Sequence, residues 1–556
     1  MTSWIRTHHR VLFYGVWMLL AFAQAAFTEL RDDEAYYYFY GLYPDWGYFD
    51  HPPLTGWLVR AGNLLLPGNL GVRLFFLLLH FLTLLLLERL TGKKDPLLFY
   101  ATLLSLAIVQ VAGFWAAPDT VLLFGTALFL WFYERYNARP GWSNACLLAL
   151  GAGILLYSKY HGVLVIFFVG MSRLSLLRRK EIWAAGLLTW LLYCPHLYWQ
   201  YQHHWVSFRY HLFESNVNPY QFSFTLSYLA GQILLAGPFA AFVLLPAAFR
   251  QQKDTALRKA AFMVMTGTWI FFLLSSFRGK VELNWTVHTL VPVILLSHAY
   301  LSEKRNNRRW LIRLMWGTLP FIIGARLLMG ADLLSLKAVK KNLHAWNGWP
   351  EKMKDKTGGL PVVFNSSYQF ASKYGYHTGL PFYSLSEYKS RRSQFNYTPA
   401  EETLLGKPVL FMDSHNWKGY AQKVPGSVIP LGYRVDSFFV SFPRLQLLPA
   451  AYSGEIRPGD SLRLTARITI PDAYRTFLDK EKREIRDTLR IAFYEGLKWK
   501  KDIITGIRVR DLLQRDSLQL VLDPALPAGR YKWMAALNAG HYAPTHNSEK
   551  YPLLIY

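Results

Sequence analysis

The sequence predicts an α-helical polytopic membrane domain of about 11 transmembrane helices, followed by an extracytoplasmic region that joins an α/β unit to a β-sandwich. Three observations carry that expectation. Hydrophobic residues make up 52% of the chain and charged residues only 17%, well under the roughly 25% usual for soluble domains. The apolar residues are gathered in blocks that fill positions 11–330, whereas the rest has a mixed composition. Lys and Arg are concentrated between alternate blocks, as the loop-charge rule for membrane proteins requires.

A spanning helix needs roughly 20 mostly apolar residues. Segments 11–28, 71–88, 96–113, 119–133, 144–158, 161–172, 182–200, 225–249, 260–277, 285–301 and 310–330 are the candidates, the fourth to sixth being short. With the N-terminus inside, the inner loops 1–10, 89–95, 134–143, 173–181, 250–259 and 302–309 hold 19 basic residues, Arg178, Arg179, Lys180, Arg305, Arg308 and Arg309 among them. The opposite loops hold six: Arg31, Arg60, Lys159, Arg209, Arg278 and Lys280. This asymmetry sets the N-terminus in the cytoplasm, and an odd number of spans sets everything after 330 outside. Basic inner loops and a basic soluble surface account for the net charge of +25. No nucleic-acid motif accompanies it, so no nucleic-acid partner is expected. Arg6, Arg10, an apolar stretch and Ala23-Gln24-Ala25 also fit a cleavable signal peptide. Retention of the first span is the expectation, because catalytic groups need anchoring on rigid elements.

Three domains follow: 1–330 in the membrane, 331–445 as a small α/β unit, and 446–556 as a β-sandwich. Pro361-Val362-Val363-Phe364 and Pro408-Val409-Leu410-Phe411-Met412 read as buried strands. Alternating runs at 461–466, 489–494 and 518–522, separated by turns such as Pro458-Gly459-Asp460 and Pro527-Ala528-Gly529, read as sandwich strands. Two cysteines, Cys146 and Cys194, both in apolar stretches, exclude a disulfide framework or a thiolate metal site.

Polar groups at span ends are costly near lipid and therefore informative. Six stretches fall on the outer side, where they are expected to converge on one pocket. They are Arg31-Asp32-Asp33-Glu34-Ala35-Tyr36-Tyr37-Tyr38, Gly47-Tyr48-Phe49-Asp50-His51-Pro52-Pro53, Pro118-Asp119, Lys159-Tyr160-His161, His203-His204-Trp205 and the run from Arg278 to Trp285 that includes Lys280. Three adjacent carboxylates repel one another, which raises at least one pKa and suits a general base. The plainer reading is an acidic cap on a short helix. Tyr36, Tyr37 and Tyr38 suit a membrane interface or a sugar platform equally well. Asp119 fits a helix N-cap or a catalytic carboxylate. Lys159 and His161 fit headgroup contact by snorkelling or phosphate binding. His51, His203 and His204 show no metal-binding spacing.

Taken together these residues resemble the GT-C superfamily of integral membrane glycosyltransferases, in the bacterial branch related to protein O-mannosyltransferases and the lipid A aminoarabinose transferase. Asp33-Glu34-Ala35-Tyr36-Tyr37 followed by Gly47-Tyr48-Phe49-Asp50-His51-Pro52-Pro53-Leu54 carries most of the resemblance. Pro118-Asp119-Thr120, Ser158-Lys159-Tyr160-His161-Gly162 and the Trp285 region add to it. It covers about residues 1–330. The resemblance implies a polyprenyl-phosphate-linked sugar as donor and a lipid, glycan or protein acceptor, reacting at the outer face of the bacterial inner membrane by single displacement with inversion. It implies Asp33 as general base with Glu34 in support, and Asp119 as a second carboxylate. Lys159, with Arg278 or Lys280, would hold the departing phosphate. Asp32, Tyr36, Tyr37, Asp50, His51, His161 and Trp285 would line the substrate site. Some relatives carry a lysine where this chain has His51, and some bind a divalent metal nearby, so metal use stays open; no other cofactor is implied.

Two other classes compete with a transferase. A flippase or transporter of lipid-linked glycans also has many spans, but alternating access places its sites near the midplane, not on one side. A non-catalytic glycan-binding assembly subunit would rest on the sandwich. Sugar transfer by the purified protein separates both from an enzyme.

Overall fold

The computed structural model describes the chain except residues 1, 216–217, 335 and 497, with the backbone alone at 2, 3, 5, 6 and 305–307. The side chains of Arg6 and Arg305, counted above among the inner-loop cations, thus lie outside the described residues. The chain divides into two compact units, Met1–His344 and Ala345–Tyr556.

The first unit is helical. It runs α1 Thr2–Phe27, α2 Asp32–Leu42, α3 Leu54–Leu65, α4 Gly68–Leu90, α5 Pro96–Ser105, α6 Ala107–Ala112, α7 Pro118–Ala138, α8 Trp142–Ser158, α9 Gly162–Met171, α10 Lys180–Gln202, α11 Val206–Arg209, α12 Phe222–Leu235, α13 Ala241–Arg250, α14 Ala256–Ser275, α15 Leu290–Glu303, α16 Arg305–Gly330 and α17 Lys337–Leu343. Among the described residues four helices are long and apolar enough to cross a membrane: Thr7–Phe27, Gly68–Leu90, Ala256–Ser275 and Arg308–Gly330. Most other apolar segments are shorter or broken. The segment 96–113 is interrupted at Leu106, whose extended backbone ends α5. The segment 225–249 breaks between α12 and α13, where Gly237 takes φ +87 ahead of Pro238, and proline cannot continue a helix interior without losing a hydrogen bond. One core joins these helices, with Leu98, Phe99, Leu122, Leu130, Leu155, Val165, Val264 and Leu296 all buried in it.

Residues 29–70, read from sequence as a loop, hold two helices. α2 buries Glu34, Ala35, Tyr36, Tyr37, Phe39, Tyr40 and Gly41, so most of its circumference faces protein. A helix packed nearly all round shows little amphipathic periodicity, and a tyrosine run adds only a modest helix propensity.

The second unit is sheet-rich. Helices α18 Trp349–Lys356 and α19 Tyr368–Thr378 accompany strands β1 Val362–Asn365, β2 Phe382–Leu385, β3 Val409–Asp413, β4 Gln422–Lys423 and β5 Gly432–Asp436. Their sheet has the order β2-β1-β3-β5-β4, with β1 parallel to β2 and β3 and β5 antiparallel to β3. Downstream come β6 Gln446–Tyr452, β7 Glu455–Ile456, β8 Leu462–Thr469, α20 Asp472–Lys480, β9 Asp487–Glu495, β10 Lys498–Ile504, α21 Val509–Leu513, β11 Ser517–Leu522, β12 Gly529–Ala539, β13 Thr545–His546 and β14 Tyr551–Ile555. They form one sheet ordered β10-β9-β12-β14-β7, with β13 on β12, and a second ordered β11-β8-β6. β8 alternates buried and outward residues, as a half-buried strand must. Its Leu464, Ala466 and Ile468 share a core with Leu489, Ile491, Phe493 and Trp533 of the other sheet.

Candidate active site

The site begins at the start of α2. Asp32, Asp33 and Glu34 occupy its first turn, where carboxylates interact favourably with the exposed amides and dipole of the helix N-terminus. Their fates differ. Asp33 is exposed, Asp32 is half-buried and Glu34 is buried. Glu34 Oε1 accepts from Arg73 Nε at 2.7 Å and from the Ala116 amide at 2.9 Å. Its Oε2 accepts from Arg73 Nη2 at 2.6 Å and from the Arg31 amide at 2.8 Å. Four bonds fill the acceptor capacity of a carboxylate. Arg73 completes its own set by donating to the carbonyls of Ala25, Thr28 and Glu29. The pair therefore ties α2 to the end of α1, to α4 and to the turn before α7. Sequence reading missed Arg73, although a lone arginine inside an apolar block is itself a signal.

The Glu34–Ala116 bond sets the acidic turn three residues from Asp119 at the start of α7. Lys159 Nζ donates to Asp119 Oδ1 at 2.6 Å, and Asn284 Nδ2 donates to Oδ2 at 2.9 Å. The side chains of Lys159 and Asp119 are 7% and 19% exposed, so the pair is largely desolvated while the carboxylate keeps some access. Lys159 follows the last turn of α8 in extended conformation, which aims it across the bundle at α7. Its ammonium carries three donors, so the Asp119 bond leaves capacity for a ligand.

The third component is the segment 43–53. Tyr48 stacks on Tyr40 with centroids 4.0 Å apart, and Tyr40 Oη donates to Asp50. His211 Nε2 bonds the Asp50 carbonyl at 2.8 Å, Ser207 Oγ donates to the Tyr48 carbonyl at 2.8 Å and His196 Nδ1 donates to that of Trp46 at 2.8 Å. Trp199 lies so close to Gly47 that a Cβ there would sit 2.4 Å from its ring; only glycine admits this approach. The segment is thus clamped onto α2, α10 and residues 206–214. It presents His51, whose Nε2 lies 3.3 Å from Tyr37 Oη and whose Nδ1 is buried without a partner. Burial pushes the His51 imidazole down to about 4; the charges of Lys159 and of His211 act in the same direction, and Asp50 and Asp119 offset part of it. His51 is therefore neutral at pH 7.

His161 packs its ring against Phe272 and Trp285, with centroids 5.0 and 5.6 Å away, within electrostatic reach of Lys159, His288, His211 and His51. Asp50, His51, Asp119, Lys159, His161 and Trp285 are accordingly linked in one cluster, with Tyr37 beside His51 and Tyr36 packed on Tyr40 at 4.8 Å. Other expected residues have contacts of their own. Arg278 donates to the Leu212 carbonyl, and Lys280 pairs with Glu282 at 3.1 Å with both side chains over half exposed. His203 stacks on Trp199 at 4.1 Å and bonds its carbonyl, and His204 is exposed at φ +54. His211 and His288 join the cluster instead. Their signal was present, since both lie in or beside the polar stretches singled out, but the adjacent His203-His204 pair was the louder one.

The donor set does not fit a divalent metal. Among the described residues no three His, Cys, Asp or Glu side chains are grouped to hold one, and Asp119 spends one oxygen on Lys159 and the other on Asn284. A lysine ammonium bonded to the candidate carboxylate ligand opposes a second cation there.

Apolar helices that meet at a desolvated lysine–carboxylate pair, ringed by histidines and aromatic rings, define a membrane protein with a built polar site. Residues 50–199 match the family described as dolichyl-phosphate-mannose-protein mannosyltransferase. The chain is 24% identical over 326 residues to the lipid A galacturonosyltransferase RgtD of Rhizobium johnstonii, covering 55% of this chain and 65% of that protein. It is 30% identical over 193 residues to the lipopolysaccharide core galacturonosyltransferase RgtA of the same species, covering 31% of this chain and 37% of that protein. The matches thus span less than two thirds of either relative's length. Among solved structures, ArnT from Cupriavidus metallidurans in the apo state superposes with a TM-score of 0.58 at 12% identity, covering 77% of this chain and 98% of that one. The same protein bound to undecaprenyl phosphate gives a TM-score of 0.56 at 14% identity, covering 78% and 98%. The fold is ArnT-like, and in residues 50–199 the chain is similar to the protein mannosyltransferase family.

Proposed function

We propose that the chain is a membrane glycosyltransferase that moves a sugar from a polyprenyl-phosphate donor to a lipid, glycan or protein acceptor. The reaction takes place at the extracytoplasmic face of the bacterial inner membrane. In this reading about eleven segments span the bilayer, with the N-terminus cytoplasmic and the sheet-rich unit outside. The observation that carries the reading is the desolvated Asp119–Lys159–Asn284 cluster, joined through Glu34 and Ala116 to the exposed carboxylate of Asp33. In this reading Asp33 is the base and Lys159 the phosphate-binding cation, the two groups sugar transfer from a phosphate requires. The description of the family matched by residues 50–199, which names dolichyl-phosphate-mannose, and the undecaprenyl phosphate bound to an ArnT of similar fold agree with a lipid-phosphate donor.

In the proposed step an acceptor oxygen attacks the anomeric carbon while its proton passes to Asp33. The bond from that carbon to the phosphate oxygen breaks, and the polyprenyl phosphate leaves with the electron pair. Lys159 stabilises the charge that develops on the phosphate, and a nearby carboxylate favours the oxocarbenium-like transition state. Attack opposite the leaving group inverts the anomeric centre. Glu34, with all four acceptor positions filled, acts in this scheme by positioning α2, not by touching substrate. His51, His161, Tyr37 and Trp285 line the sugar, with Asp32, Tyr36 and Asp50 behind them, and Arg278 and Lys280 steer the anionic donor from the exposed edge.

The test is reconstitution. Purified protein is incubated with a panel of polyprenyl-phosphate sugars and with lipid A, and the products are read by mass spectrometry. Transfer that falls at least tenfold in Asp119→Asn supports the assignment; transfer untouched by that variant removes Asp119 from the site.

A further inference from the structure

The helical unit also holds a set of buried donors that the proposed reaction does not use, one of which, Trp115, adjoins the Ala116 that Glu34 bonds. Arg326 lies in the apolar helix Arg308–Gly330, and its Nε is buried without a hydrogen-bond partner. Among the described residues no carboxylate pairs with it. Gln24 Nε2 donates to the Arg326 carbonyl at 3.1 Å, which fixes this turn of α16 against α1. Residues near a helix end often snorkel to the interface, but α16 packs here through Met329 on Ala21, Ala25, Leu77 and Phe114 of the neighbouring segments, and the Arg326 Nε is buried. Arg326 therefore points into the bundle. His80 lies twelve residues into α4, about 18 Å along it at 1.5 Å per residue.

His80 is 2% exposed and receives the Trp17 indole N–H on Nε2 at 3.3 Å. An indole nitrogen only donates, so the proton of the neutral imidazole is on Nδ1. That Nδ1–H is buried and unpartnered. Gly113 makes room for the ring, since a Cβ there would lie 2.4 Å from its Cε1. Trp115, whose ring packs on the neighbouring cluster of Ala21, Ala25, Leu77, Phe114 and Met329, adds a third buried donor without a partner at Nε1. Among the described residues these three donors, one of them cationic, have no protein acceptor, and such donors suit an anionic ligand with several oxygens. Unsatisfied buried donors are otherwise expensive, and an ionisable side chain within a span marks function more often than packing.

We propose that the junction of α1, α4, the α6–α7 turn and α16 binds the phosphate group of a membrane lipid. Arg326 supplies its cation, and His80 and Trp115 supply neutral donors. The lipid tail lies along the apolar faces of α1 and α16, where Leu19, Leu20, Phe321 and Ile323 are exposed. The inference rests on the unit being embedded in a bilayer and is independent of the sugar-transfer reading.

Native mass spectrometry of the delipidated full chain tests it, with undecaprenyl phosphate, phosphatidylglycerol or inorganic phosphate added separately. The wild type and Lys159→Met are expected to retain a lipid phosphate that Arg326→Gln binds at least tenfold more weakly, with partial recovery in Arg326→Lys. The monoester and diester lipids identify the source. Should Arg326→Gln not fold, His80→Gln and Trp115→Phe report the same weakening. Equal lipid retention by wild type, Arg326→Gln and His80→Gln overturns the proposal, as does binding of inorganic phosphate with no lipid bound.

Discussion

Replacing Glu34 by glutamine probes how the candidate site is held together. Glu34 and Arg73 are 2% and 0% exposed and meet through two short bonds. Removing one member of such a buried pair leaves the other charge uncompensated, at a cost of about 3–5 kcal/mol. Glutamine keeps one carbonyl oxygen, so it retains some of the four bonds, and the lower end of that range is expected. About 3 kcal/mol lowers the folded-to-unfolded ratio by roughly two powers of ten. The assay is denaturant-driven unfolding of the purified protein in mild detergent, followed by tryptophan fluorescence. The double variant Glu34→Gln/Arg73→Met removes both charges and is expected to be destabilised by at least about 1 kcal/mol less than the sum of the single effects. Additivity within about 0.5 kcal/mol would refute the claim that this pair anchors α2.

Three further outcomes follow from named contacts. Lys159→Met strands the Asp119 carboxylate, so adding Asp119→Asn should restore thermal stability while sugar transfer stays lost; recovery of transfer in the double variant would remove Lys159 from the chemistry. In the second unit Glu401 is buried, accepts from Tyr474 and leaves Oε2 unpartnered, and burial raises its carboxyl to about 7. A folded-state pKa above the unfolded one gives stability that is complete below about 4.5 and lost as pH rises through about 7, so Glu401→Gln should raise the unfolding temperature at pH 8 and not at pH 4. His51 titrates the other way: folded near 4 and unfolded near 6.5, it leaves stability intact above pH 6.5 and lost progressively toward pH 4. Unfolding of His51→Gln should show a shallower acid decline, and an unchanged profile would mean that His51 is not buried neutral.

Much of this arrangement was legible in the sequence, and the failures have physical causes. Apolar blocks mark helices because only hydrophobic stretches are stable across lipid, and strands such as Val409–Asp413 showed themselves as apolar runs bounded by turn residues. Charge chemistry marked Asp119 and Lys159, but neither position revealed that they bond one another across two helices, since that is a tertiary contact between residues forty positions apart. Within the acidic trio, charge alone treated three carboxylates alike and only the resemblance assigned Asp33 and Glu34 different roles; in the fold, helical geometry turns Glu34 inward to Arg73 and leaves Asp33 outward. His211 went unremarked, and Asn284 was noted only as part of the run from Arg278 to Trp285 with no role of its own, because each is ordinary locally and gains meaning only from the group it faces.

The most direct test of the central claim compares wild type with Asp33→Asn for sugar transfer from a polyprenyl-phosphate donor, with binding of the donor measured in parallel. Loss of a general base costs about 10²–10⁴-fold, so the account predicts a fall of that size with donor binding kept within a few-fold. Full activity in Asp33→Asn would contradict it, and so would a wild-type protein that binds the donor and transfers none of the sugars offered.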